Sequence, residues 1–247
     1  MNLLRAEFLK IRTTRTALGL FVAVLLASIA PVALLVALAP PETFVEGGGS
    51  LFDIASGLVP YILVVFGILG MTNEYRHGTI TYTYLVTPRR GRVMVVKLVV
   101  YALIGAATMA LALALVALTG VIGLEVRGVS SGSLFDVGLA DLPRQLVVAG
   151  LMTAFGVALG ALLHLQVATV AGVLIWALAI ESIIALVRPK IGVWLPFTVF
   201  NQVTGGRVGG VESSIGLERP EAFLVSVVYI GIVSVAAVLI SMSRDVT

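Results

Sequence analysis

Six long apolar stretches, separated by polar and charged segments, dominate the sequence. Each matches the roughly 20 apolar helical residues that are needed to cross a bilayer core of about 30 Å. Because the runs are continuously apolar and do not alternate, they predict helices and not the strands of a closed barrel. The predicted transmembrane spans cover residues 17–39, 54–73, 98–124, 145–163, 165–187 and 222–243.

The first stretch follows basic residues, as the apolar part of a secretory signal does. That part of a signal is usually about 7–15 residues long, with a small-residue cleavage motif after it. Here the stretch has 23 residues, which is longer than the apolar part of a signal. We therefore expect a retained membrane anchor.

Apolar residues recur at helical spacing ahead of the first span. Leu4, Phe8 and Ile11 lie on one face, and the basic residues lie mostly elsewhere. This pattern is typical of an elbow-like helix that lies in the headgroup region and leads into the first span. A basic flank that only sets topology explains the pattern equally well.

The polar segment 74–97, between the second and third spans, is too long to be a turn. Residues 79–86 alternate and are rich in β-branched and aromatic side chains, so propensity alone favours a strand. A single strand between two membrane helices has no pairing partner. We therefore predict a short helix that begins near Thr79 and ends before Pro88.

Two further patterns concern packing and the last loop. Gly156 and Gly160 form a small-residue motif that lets helices approach closely, either within this chain, which we expect first, or between two copies.

Segment 188–221 contains Trp194, Phe197 and a glycine-rich run, and it predicts a re-entrant or surface helix followed by a loop.

Composition narrows the function. Mean hydropathy is +1.11 and only 12% of residues are charged, which is about half the usual share in soluble proteins. The chain has no Cys and two His, which disfavours redox and metal chemistry, and its bases form no continuous face for nucleic acid. No GxxxxGK[ST] motif is present, so we expect no ATP hydrolysis by this chain, no catalytic residues and no bound cofactor.

Lysine and arginine counts predict the orientation. With the N-terminus in the cytoplasm, ten bases lie inside and six outside. The first external loop, 40–53, carries three acids and no base. We expect a multi-pass plasma-membrane protein, a single domain over residues 1–247, with both termini cytoplasmic.

Glu181 is the one acid inside a predicted span. Such a carboxylate costs about 2.5–3.5 kcal/mol to insert and is a functional candidate by default. It is either a structural anchor near the outer leaflet or a contact on a substrate path. Other side chains that could line such a path are aromatic, soft or hydroxyl-bearing: Tyr61, Tyr101, Thr108, Met152, Thr153 and Tyr229.

Several segments together resemble one family, the ABC type-2 transporter permeases of actinobacteria. The similar segments are RAEFLKIRTTRT at residues 5–16, NEYRHGTI at 73–80, LVTPRRGR at 85–92, and Lys97 at the opening of the third span. The specific part of the resemblance covers about 40 residues. The number of spans and the placement of loops agree over almost the whole chain.

The resemblance implies an exporter subunit. Because the spans offer aromatic, soft and hydroxyl-bearing side chains and no ring of charge, we expect an amphiphilic or lipid-like cargo, such as a drug, antibiotic or lipid. The resemblance also implies a second permease copy or similar chain and two separate ATPase subunits, which hold the ATP and Mg. The N-terminal segment would be an elbow helix, and the 74–92 loop would carry a coupling helix against the ATPase. The residues implied in that contact are Glu74, Gly78, Thr79, Tyr82, Leu85, Pro88, Arg89 and Arg92, with His164 and Gln166 in a second internal contact.

Three other function classes compete with this interpretation. A secondary transporter needs charges or broken helices at matching places in two halves, and only Glu181, Pro31 and Pro60 offer these. A membrane enzyme lacks paired catalytic residues, and an assembly or immunity protein without transport is the last alternative. Association with an ATPase subunit distinguishes the exporter from all three.

Overall fold

A computed structural model of the chain describes residues 3–40, 44, 50–87, 89–129, 141–204 and 216–243. Every regular element in these residues is helical. This agrees with the all-α prediction, because a backbone in hydrocarbon must satisfy its polar groups within each segment. The helices are α1 (Leu3–Thr13), α2 (Arg15–Leu38), α3 (Ser50–Arg76), α4 (Thr79–Val86), α5 (Arg90–Val126), α6 (Leu142–Leu163), α7 (Gln166–Val187), α8 (Pro189–Gly192), α9 (Pro196–Val203) and α10 (Arg219–Ser243).

Six of the described helices are long and apolar enough to cross a membrane, as expected of a multi-pass membrane protein. They are α2, α3, α5, α6, α7 and α10, and each contains most of one predicted span. The main difference is length. Helix α5 begins at Arg90, eight residues before the predicted span, so the polar segment that precedes this span forms the first two turns of the helix.

Helix α6 is the centre of the bundle. It packs against α3, α5 and α10, and 67% of its most apolar 18 residues are buried, against 22% for α2, α7 and α10. The glycine motif of α6 explains the close approach of α3. A Cβ on Gly156 would lie 2.2 Å from the carbonyl oxygen of Val64, and one on Gly160 would lie 2.8 Å from that of Ile68. The motif therefore serves packing within the chain, as expected.

Short helices were predicted before the first span and between the second and third spans, and both are present. Residues 3–13 form α1, which leads into α2 after Thr14. Residues 79–86 form α4 although their composition favours a strand. The helix at 79–86 confirms that the lack of a strand partner outweighs local propensity here.

The segment after α7 folds back on the bundle. Helices α8 and α9 follow it, and Phe197 and Phe200 of α9 are buried among residues of α6 and α10. The helical part of the predicted external segment is thus present. The glycine-rich run 205–210, the loop tip 41–43 and Pro88 lie outside the described residues.

Candidate functional site

Four charged side chains from three helices form an ion cluster at the end of the bundle that carries α4. Lys97 of α5 donates hydrogen bonds to Glu7 of α1 and to Glu74 of α3, both at 2.6 Å. Lys10 of α1 donates to the same two carboxylates at 2.8 and 2.9 Å. The ion cluster therefore joins α1 to the end of α3 and to the beginning of α5.

The ion cluster is nearly closed to solvent. Lys97 is fully buried, Glu7 is 1% exposed and Glu74 is 7% exposed, whereas the side chain of Lys10 is 42% exposed. Two acids and two bases cancel, so the net charge of the ion cluster is zero. Because a buried charge without a partner is costly, each of these side chains restricts the positions that the others can take.

The charges within the ion cluster shift the pKa values of its α1 residues. Burial alone raises the pKa of Glu7, but the ammonium groups of Lys97 and Lys10 outweigh burial and hold that pKa below its ordinary value. Burial alone lowers the pKa of Lys10, but its hydrogen bond to Glu7 and the charge of Glu74 raise that pKa above its ordinary value. Both residues are therefore charged at neutral pH.

Local sequence places these side chains. Glu7 and Lys10 are three residues apart on α1 and so share one face, and Ile11 on that face is buried. Glu74 lies in the last turn of α3, and Lys97 lies two turns into α5. Charged residues at the ends of apolar helices thus meet where three helix ends converge.

Helix α4 follows the ion cluster directly. Gly78 joins α3 to α4 with φ of 66°, a left-handed conformation that glycine adopts without strain. The side chains of Tyr82, Leu85 and Val86 are strongly exposed on the short helix that results. An exposed apolar patch of this kind, next to charged residues, is typical of a surface that contacts a protein or a membrane.

The connection between α6 and α7 lies beside the end of α3. Arg76 donates a hydrogen bond to Gln166 at 3.2 Å, and the rings of Tyr75 and His164 meet edge to face with centroids 4.1 Å apart. Leu165 in this connection is exposed. The two internal segments that the resemblance pairs, 74–92 and 163–167, therefore meet at one end of the bundle.

Most of the predicted contact residues lie at this end, which we refer to as the α4 end. Arg89 and Arg92 are exposed at the start of α5. Glu74 differs from the others because it is buried in the ion cluster, where it can position α4 but can make no direct contact with a partner. Pro88, also predicted, lies outside the described residues. The remaining predicted residues at the α4 end are Gly78, Thr79, Tyr82, Leu85, His164 and Gln166.

Sequence reasoning missed Glu7, Lys10 and Lys97 as members of a site. The sequence patterns use Lys10 only as one of the bases that predict topology, and they use Lys97 only as the residue that opens the third span. Their contacts join positions 64 and 90 residues apart, which no local pattern shows. The sequence signal that could have found them was a Glu and a Lys three residues apart in the segment that forms α1, together with an isolated Lys at the start of a span.

The candidates for a substrate path fall in two places. Thr108 and Thr153 are buried between helices, and their hydroxyls donate to backbone carbonyls one turn earlier, at 2.7 and 2.6 Å. Met152 and Tyr101 are also buried in the bundle. Tyr61, Glu181 and Tyr229 instead lie near α8 and α9 at the opposite end.

Glu181 is fully occupied by hydrogen bonds. Its carboxylate accepts from the backbone N–H groups of Phe197 and Thr198, at 3.2 and 2.9 Å, and from the Thr198 hydroxyl at 3.2 Å. A π-helical turn at Trp176–Ile180 brings the Trp176 indole to the same carboxylate at 2.7 Å. Because two of the donors belong to the first turn of α9, this geometry supports the interpretation of Glu181 as an anchor.

In the part of the chain that the structure describes, no three His, Asp or Glu side chains are grouped as a metal site requires. No protein-family model matches the chain, and no curated protein matches it either.

Proposed function

We propose that this chain is the transmembrane permease subunit of an ATP-binding-cassette exporter and carries no catalytic residue itself. The observation that carries the proposal is the composition of the α4 end. A short helix between the second and third spans exposes Tyr82, Leu85 and Val86 beside a second exposed segment at Leu165. Such a surface suits a partner that pushes on both segments together.

The ion cluster supports this role mechanically. It ties α1 to the base of α3 and α5, and the turn at Gly78 ties α4 to the same base. A displacement of α4 by a partner would therefore be transmitted to two spans and to α1 as a unit. Alternating access by a shift between two helix arrangements requires such a stiff connection.

The partners in this proposal are two ATPase subunits, which hold ATP and Mg, and a second permease copy or a similar chain. One set of six spans forms half of a two-sided path. In this proposal α1 is an elbow helix at the membrane surface and α4 is the coupling helix. The α4 end faces the cytoplasm of a cell whose plasma membrane holds the protein.

An amphiphilic or lipid-like cargo fits the spans best. Among their described residues, buried charges are confined to the ion cluster at the α4 end and to Glu181 at the other. Glu181 accepts hydrogen bonds from Phe197 and Thr198 of α9 and from Trp176, so it is not free to bind a cation. The side chains of such spans offer dispersion contacts and hydroxyl groups to a cargo, whereas an inorganic ion needs charged partners as well.

Isolation of the tagged chain from its own membranes tests the proposal. We expect an ATPase polypeptide with a GxxxxGK[ST] motif to co-purify, and the complex to have a mass that fits two permeases and two ATPases. A Leu85→Asp chain isolated in parallel should retain clearly less of the ATPase. A purified chain that transports an amphiphile with no ATPase present would contradict the proposal.

A further inference from the structure

A cavity of about 340 Å³ lies where α1, α2 and α3 meet. Along α3 it extends from Phe66 to His77, which is about 16 Å at the helical rise of about 1.5 Å per residue. Phe66 and Leu69 make its deeper wall apolar, together with Leu20 of α2. Towards the end of α3 the lining becomes polar, so the cavity runs from the helix ends into the apolar part of the bundle.

The polar mouth of the cavity is lined by one cation, Lys10, and one carboxylate, Glu74, and exposed cations follow next to the lining residues in the sequence. Within the ion cluster only Lys10 has a substantially exposed side chain, and Lys10 lines the cavity. Two of its three ammonium hydrogens are used by Glu7 and Glu74, which leaves one for another acceptor. Arg12 and Arg15 are exposed nearby on α1 and α2.

Glu74 also lines the cavity; Lys10 and Lys97 balance its charge within the ion cluster, and its Oε2 atom is buried and accepts no hydrogen bond. Its Oε1 atom accepts from both Lys10 and Lys97, at 2.9 and 2.6 Å. The polar lining also includes the exposed Thr16 hydroxyl and the Asn73 amide. Together these groups suit an oxyanion better than a cation.

We propose that this cavity binds an anionic phospholipid, with one acyl chain between α2 and α3 and the phosphate beside Lys10 and Thr16. The charge of the mouth selects the headgroup, and the apolar wall along Leu20, Phe66 and Leu69 accepts the chain. Basic pockets between membrane helices bind anionic headgroups in this way. The site depends only on the chain spanning a membrane and is independent of the proposed transport function.

Photo-crosslinking in bilayers tests this site. The full chain is reconstituted into phosphatidylcholine vesicles that contain a phosphatidylglycerol analogue with a photoreactive group on its acyl chain. We expect crosslinks near Leu20 and between Phe66 and Asn73. They should exceed those of the matching phosphatidylcholine analogue by about fivefold, the factor that one basic side chain contributes at an anionic surface.

Two alanines of α2 provide matched variants. Ala17 lines the cavity and is buried, whereas Ala30 is exposed on the same helix. Ala17→Leu should reduce cavity labelling by about fivefold or more, since it fills the space of the chain, and Ala30→Leu should leave it unchanged. Lys10→Gln should retain labelling but lose the preference for phosphatidylglycerol.

The wild-type comparison decides the question even where a variant folds poorly. Labelling that is equal for the anionic and neutral analogues would overturn the proposal, as would stronger labelling by a cationic alkylamine analogue. Crosslinks confined to exposed helix faces would also overturn it. Excess inorganic phosphate should not compete, because the acyl chain supplies part of the binding, and competition by phosphate alone would refute the lipid assignment.

Discussion

Lys97 holds together two carboxylates that come from different helices. It is fully buried and donates to Glu7 and Glu74 at 2.6 Å each. Lys10 contacts the same carboxylates but is partly exposed, so water can compensate for its removal in part. The two lysines therefore differ in importance although they have the same partners.

We expect Lys97→Met to destabilise the protein by about 3–5 kcal/mol, because it leaves buried carboxylates short of a counter-charge. Lys10→Met should cost clearly less. Unfolding in detergent micelles measures both. The combination Glu7→Gln with Lys97→Met should be less destabilising than the sum of the single variants, as expected for side chains in contact. Equal effects of the two lysine variants would show that burial does not distinguish them.

Acid should weaken the attachment of α1. The pKa of Glu7 lies below its ordinary value of 4.5, so the folded protein binds the proton less readily than the unfolded chain does. The stabilisation from Glu7 is then complete above pH 4.5 and is lost as pH falls through the lowered pKa. Melting temperature should fall on acidification below that value, and Glu7→Gln should flatten this part of the curve. Parallel curves for both proteins would contradict the assignment.

Alkali should act on Lys10 in the opposite sense. Its pKa is raised above the ordinary value of 10.5, so the contribution of Lys10 is complete below that value and is lost as pH rises beyond it. At the residue scale, the resemblance implied Glu74 in a contact with a partner, whereas the structure buries Glu74 in the ion cluster. The sequence did not identify the partners of Glu74, because Lys10 lies 64 residues away in the chain.

Helix α4 shows what sequence can and cannot predict about an element. Its alternating β-branched residues favour a strand, and only its place between two spans predicts a helix. Its bounds, Thr79–Val86, agree with the predicted start near Thr79 and an end before Pro88. The π-helical turn at Trp176–Ile180 was not predicted, because it depends on Glu181 reaching α9, a tertiary contact.

Close packing of α3 and α6 predicts a sharp difference between two glycines. Gly156→Ala places a methyl group 2.2 Å from the backbone oxygen of Val64, so the helices must separate. We expect a loss of about 1–3 kcal/mol, as for other overpacked sites. Gly172→Ala meets nothing within 4 Å and should be neutral or stabilising. Thermal unfolding of the two variants measures this, and similar melting temperatures would contradict the packing.

The whole molecule is a six-span bundle with two distinct ends. The α4 end carries α1, α4 and the α6–α7 connection, and the opposite end carries α8 and α9. The number and positions of the spans were predictable because hydrophobicity and length are local properties. How the spans pack was predictable only where Gly156 and Gly160 marked a close approach.

Orientation can be measured directly, because the chain contains no natural Cys. Val86→Cys at the α4 end and Ile191→Cys at the opposite end both replace exposed residues. We expect a membrane-impermeant thiol reagent to label Ile191→Cys in intact cells and Val86→Cys only after permeabilisation. The reverse result would place the α4 end outside and exclude an ATPase contact there.

In our proposal, α4 couples this chain to a separate ATPase. Leu85→Asp tests it most directly, with Leu38→Asp as the matched control, since the two leucines are 73% and 74% exposed at opposite ends. ATP hydrolysis is measured for each variant in complex with the co-isolated ATPase. The account predicts at least about a tenfold loss for Leu85→Asp, because burial of a leucine at the contact contributes about 1.5–3 kcal/mol. Leu38→Asp should be near normal. Hydrolysis at the wild-type rate by a correctly inserted Leu85→Asp complex would contradict the account.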